Sequence, residues 1–344
     1  MTMIVVGTEK GGYVLEGSGA SWEVVGPMFS GWKVTALGRG PDGAHLAAVA
    51  STWFGAAVQR SEDLDSWEQI VDGPAFDEGT GRKLNQIWTF HTDGDRVWAG
   101  VEEAALFSSE DGGSNWQPVT GLNDHRTRES WFPGGGGLCA HQVLTTTEGR
   151  MWVGISAAGV FRSFDGGETF EPANYGVPNI AYPGDDEAEV GYCVHSLAQD
   201  PDRPGVIWRQ DHMGVFRTEN GGGSWERIES GLPAAFGFVM ARDGASGRLF
   251  VVPLEADINR LPIDGRLMAY CSEDDGDSWR PAGTGWSDQP QFTSVLRGAV
   301  DADQQGFVAF GTTGGRIWLT EDAGDHWREL GISLPRILAL KVVV

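Results

Sequence analysis

The chain has 344 residues and sets 25 Lys and Arg against 48 Asp and Glu, a formal net charge of −23. That balance argues against nucleic acid or an anionic membrane as partner, because such a surface repels phosphate. No run approaches the ~18 apolar residues of a membrane span, residues 1–6 lack the basic segment and apolar core of a signal peptide, and three scattered cysteines are too few for a disulfide framework; the expectation is one soluble cytoplasmic domain over 1–344.

In chain order, residues 3–8 read as a strand, and a degenerate octet follows that ends at Trp22. A contracted copy spans 61–67, and full copies of Ser/Thr-x-Asp-x-Gly-x-x-aromatic occupy 109–116, 163–170, 218–225, 272–279 and 320–327, with Asn220 in place of Asp in the third of these. The closing aromatics recur about every 45 to 55 residues, and seven such units predict an all-β, seven-bladed propeller of four-stranded antiparallel blades. The fourth unit shows the internal order most clearly: an inner strand over 138–145, a second over 151–155, a third over 159–163 and an outer one over 169–172, by the β-branched and apolar runs broken at Gly and Asp. Residues 336–343 read as an inner strand with no partner of their own. They are expected to pair with 3–8 in the first blade, closing the ring and removing two sheet edges.

The octet is built to hold a turn. Its Asp and its Ser or Thr hydroxyl accept from backbone amides that the ladder leaves unpaired, its Gly takes a backbone angle closed to other residues, and its aromatic fills the gap between neighbouring sheets. Asp111, Asp165, Asn220, Asp274 and Asp322 are therefore read as structural. The octet resembles the Asp-box, or BNR repeat, of sialidases, sortilin-type receptors, xyloglucanases and photosystem assembly factors, and the whole chain is similar to bacterial single-propeller, sialidase-like BNR-repeat glycosyl hydrolases. The resemblance implies a fold; the same box serves enzymes, receptors and assembly factors.

In an antiparallel meander the octet turns share one face with the turns between first and second strands, and the loops joining second to third strands and one unit to the next lie on the other. The long connections 121–137, 173–191 and 254–265 fall on that second face, around the third to sixth units, where a site is expected. There Cys139-Ala-His141 and Cys193-Val-His195 occupy the same place on successive inner strands, and Glu102, Ser156 and His212 match one another at the ends of second strands. Imidazoles and a carboxylate are ligands for zinc, copper or iron, so His141, His195 and His212 are candidate metal ligands, with Glu102 or Glu189 as further ligand or base. Two other readings of the same residues stay open: each His bonded between blades with Cys as apolar filler, or a Cys139 or Cys193 nucleophile activated by a histidine.

Around this set, Arg128 and Arg266 are expected to hold an anionic small molecule or glycan, and 128–137 (RESWFPGGGG) to form a flap carrying Trp131. Glycoside hydrolysis is the alternative, with paired acids such as Glu102 and Glu255. The resemblance to sialidases implies three converging arginines and a Phe-Arg-Ile-Pro segment, which has no counterpart here, and that to xyloglucanases implies a second propeller. A non-catalytic scaffold docking another protein on the loop face is the third reading.

Overall fold

The computed structural model describes residues 2–185 and 187–343. It is all-β with almost no helix: one four-residue α-helical turn, Thr120–Asn123, and three short 3₁₀ turns interrupt the strands. Among the described residues the strands form five four-stranded antiparallel sheets and one eight-stranded sheet. The eight-stranded sheet is two four-stranded meanders joined at a single parallel bridge, Gly298 to Ala339. In one of them Ile337–Val343 lies antiparallel to Thr2–Thr8, from Met3 opposite Val343 to Thr8 opposite Ile337, so the two ends of the chain share a sheet.

The fourth repeat shows how sequence becomes sheet. Cys139–Thr145, Met151–Ser156, Gly159–Ser163 and Glu171–Pro172 pair in order, and the outer strand is shorter than the composition predicts because only two residues keep the ladder. Its octet turn is held as its residue types require. Ser163 Oγ donates to Asp165 Oδ1 at 2.7 Å and accepts from Gly167 N at 2.9 Å, while Asp165 Oδ1 also accepts from Thr169 N at 2.9 Å. Asn220 makes the equivalent contacts with its amide oxygen, accepting from Thr218 Oγ1 at 2.8 Å and Ser224 N at 2.9 Å. The turn needs two successive left-handed residues, not the one expected: Gly166 and Gly167 have φ of 73° and 94°, and Ala323 takes the first of these positions in the last octet at φ 55°.

Tryptophans tie each sheet to the next. Trp152 and Trp208, buried on second strands, donate their indole N–H to Gly221 O at 2.9 Å and Asp275 O at 2.7 Å in the following octet turn. The closing aromatics of the five full octets are buried, and Trp225 and Trp279 donate back to Ala173 O and Ile228 O. These two rings thus remove a large apolar area from water while their one polar atom stays bonded; Trp327, closing the last octet, is buried with its N–H unbonded.

Candidate functional site

The inner strands share a bulge that decides where the histidines point. Pairing skips Thr35, Trp88, His141 and His195 on four of these strands. A bulge residue leaves the ladder, and its side chain is re-aimed. Thr35 Oγ1 and His141 Nε2 reach the next inner strand, donating to Ile87 O and Val194 O at 2.8 Å, and His195 Nδ1 donates to Gly237 O, ahead of the next inner strand Met240–Arg242, at 2.6 Å. Both histidines therefore serve first as links between sheets.

They differ in which nitrogen does this. His141 commits Nε2, which also lies 3.2 Å from Ser156 Oγ, and its Nδ1 is buried without a partner; burial pushes its pKa down to about 3. His195 commits Nδ1, and its Nε2 lone pair faces the Cys193 thiol, 3.6 Å from Sγ and within hydrogen-bonding range of it. Burial also holds His195 well below the ordinary imidazole range. His212 completes a trio: its backbone N–H donates to Cys193 O at 2.9 Å, and its ring meets that of His195 edge-on at 5.8 Å between centroids. The ligand atoms of Cys193, His195 and His212 all lie within 4.8 Å of one another. The cluster the structure brings together is thus Cys193, His195 and His212, with His141 outside it.

The remaining candidates are dispersed. Glu189 is ion-paired with Arg126 on the surface, which holds its carboxyl below the ordinary range. Glu255 is exposed and bonded only to Asn259 within its own loop, and Arg266 is exposed after the turn Ile263–Gly265. Arg128 is spent on the backbone, donating to Ala104 O at 2.7 Å and to Glu103 O, with its guanidinium 4.7 Å from the Trp131 ring. Burial lowers its pKa to about 10. Trp131 is not a flap: its ring is buried against Phe161 and His125, and its N–H donates to Thr127 Oγ1 at 2.9 Å. An aromatic next to four glycines reads as mobile, but the short turn Arg128–Ser130 folds it inward. Burial raises both Cys139 and Cys193, keeping them as thiols, which argues against a free-thiolate nucleophile.

Glu102 lies in a separate place. It lines a cleft of about 660 Å³ on the face opposite the octet turns, with Lys33, Trp53, Lys83 and Asn85. Burial pushes its carboxyl above the ordinary range although Lys33 acts in the other direction. Trp53 is 88% exposed at the rim, and its neighbour Phe54 stacks on Trp32 at 5.8 Å. Phe238, packed against His195, was not legible as a site residue in the sequence. Phe238 lies between two guanidinium groups, 5.0 Å from Arg297 and 5.3 Å from Arg260, and Arg297 donates to Ser156 Oγ at 3.3 Å. The inner-strand position of Arg297 was the only signal for it.

No family model matches the chain. An oligoxyloglucan-reducing end-specific xyloglucanase of Emericella nidulans is 25% identical over 233 residues, which are 56% of this chain and 27% of that enzyme. Among solved structures, the GH74 xyloglucanase of Xanthomonas campestris aligns over 86% of this chain and 45% of its own, at 16% identity and TM-score 0.58. YCF48 of Cyanidioschyzon merolae aligns over 89% and 88%, at 12% identity and TM-score 0.55. These likenesses are of fold, and the fold is a propeller. The chain spans about a quarter of the length of the curated relative it matches.

Proposed function

We propose that the chain is a seven-bladed Asp-box propeller, its ring closed by the C-terminal strand, that binds a glycan across its loop face and acts on it as a glycoside hydrolase. The strand groups, each with an octet-like turn, support the blade count, and the sequence similarity to a xyloglucanase supports the sugar class. The observation that carries the site is the Glu102 cleft: an open trough with an exposed tryptophan at its rim and a carboxyl raised by burial on its wall. Sugar rings stack on aromatic faces through their C–H surfaces, and Lys33 and Lys83 offer donors to hydroxyls. A carboxylic acid that keeps its proton above the usual range is the type of group that protonates a departing glycosidic oxygen. Glu102 is assigned that role in place of the Glu102 and Glu255 pair.

The test is a panel of xyloglucan oligosaccharides and other β-glucans, read by reducing-end release and by calorimetric binding. Glu102→Gln is expected to bind as the native protein does and to cleave about 10²- to 10⁴-fold more slowly, the range for loss of a general acid. A native protein that neither binds nor cleaves any member of the panel overturns the reading; equal cleavage by Glu102→Gln overturns the role of Glu102.

A further inference from the structure

We infer that Cys193, His195 and His212 form a binding site for a zinc-class divalent cation, distinct from the Glu102 cleft. Tetrahedral zinc with Zn–S near 2.3 Å and Zn–N near 2.05 Å places sulfur and nitrogen about 3.5 Å apart, and Cys193 Sγ lies 3.6 Å from His195 Nε2. The ligand atoms of all three side chains lie within 4.8 Å of one another, and Asp257 Oδ2 stands 3.5 Å from His212 Nε2 at the edge of the cluster.

The tautomer fits as well. The Gly237 carbonyl accepts from His195 Nδ1, so this nitrogen carries the hydrogen and Nε2 presents its lone pair to the cluster. Such a carbonyl on the far nitrogen is the usual support of a metal-bound imidazole, fixing ring and tautomer together. His141 stands at the same bulge position on the neighbouring strand, and its link to the next sheet uses the opposite nitrogen. A link between sheets alone explains His141; it does not explain why His195 turns its second nitrogen, unprotonated, onto a thiol.

The surroundings favour closed coordination on one side and entry on the other. Phe236 and Phe238 pack their rings against His195 at 5.4 and 4.7 Å, forming an apolar wall. His212 and Asp257 are 21% and 46% exposed and stand on the open side. One thiolate and two imidazoles form a set that suits zinc over magnesium or calcium, which prefer oxygen alone. Binding displaces the Cys193 proton to solvent, leaving the thiolate on the metal.

The experiment uses the full chain without an affinity tag, stripped with chelator and then titrated with Zn²⁺ and, separately, with Co²⁺. Expected are one equivalent bound per chain, a rise in melting temperature on zinc addition, and a thiolate-to-cobalt charge-transfer band in the near ultraviolet. Cys193→Ala removes that band. His212→Gln, on the open side and safe for folding, weakens binding by more than about 100-fold, beyond the loss typical of a supporting group. Failure of the stripped, folded protein to bind either ion overturns the site. So does binding that persists unchanged in His212→Gln, or a cobalt spectrum that is the same with and without Cys193.

Discussion

Deleting residues 335–344 tests whether the propeller depends on its last strand. Ile337, Leu340 and Val343 are almost wholly buried, the first two in one core cluster with Ile4 and Val6 and Val343 in another with Val5. Burial of such side chains stabilises by about 1.5–3 kcal/mol each, so the three together contribute roughly 5–9 kcal/mol. The deletion also uncovers the face of Thr2–Thr8 and leaves its outer ladder unpaired along the sequence from Met3 to Thr8. Total stability of a domain is on the order of 5–15 kcal/mol. The truncated chain is therefore expected to have no cooperative melt at 25 °C or above, and Leu340→Ala in the full chain to lose about 2–5 kcal/mol. Urea unfolding followed by tryptophan fluorescence reads both, since the indoles lie between sheets. A truncated chain that melts cooperatively within a few degrees of the full one would refute the argument, because a ring held by its last strand cannot lose it locally.

The octet turns make two further predictions. Hydrogen bonds from Thr169 and Ser163 hold the Asp165 carboxyl at about 2, against the ordinary 3.8, and those from Asn115 and Ser109 do the same for Asp111. A depressed carboxyl stabilises above its unfolded pKa and loses that contribution as pH falls through the folded value, so urea midpoints should drop between about pH 4 and pH 2. Asp165→Asn, which copies Asn220, should keep the turn and flatten that drop; an unchanged acid limb in a variant carrying Asn at both 111 and 165 would assign the loss to other groups. Ala323→Gly should stabilise by about 0.5–1 kcal/mol, the left-handed penalty of roughly 1–2 kcal/mol less the backbone freedom glycine adds to the unfolded chain, measured as a shift in urea midpoint at constant slope.

What could be read from the sequence and what could not divide along a physical line. The octet is local: Ser163, Asp165, Gly167 and Phe170 fall within eight residues and satisfy one another within the same turn, so their pattern carries the geometry with it. Repetition then carries the sheet order, and the pairing of Ile337–Val343 with Thr2–Thr8 restores to the first meander the inner strand that the opening residues lack. The site depends instead on a displacement of one residue. Cys-x-His puts both side chains of each pair on one side of a regular strand, which makes His141 and His195 equivalent; the shared bulge keeps them equivalent in backbone, and the choice of nitrogen separates them. That choice is set by where Val194 O and Gly237 O lie in the following repeats, more than forty residues away. Trp131 fails to be mobile for the same reason, because Thr127 and Phe161 offer its ring a bonded, buried place that four adjacent glycines do not reveal. Residue types placed by their own turn are legible one repeat at a time, whereas the direction of a side chain on an inner strand belongs to the adjacent repeat. A catalytic or metal-binding assignment in such a fold therefore has to be made from the facing carbonyls, and His195 is the inner-strand histidine for which they leave Nε2 turned to a thiol.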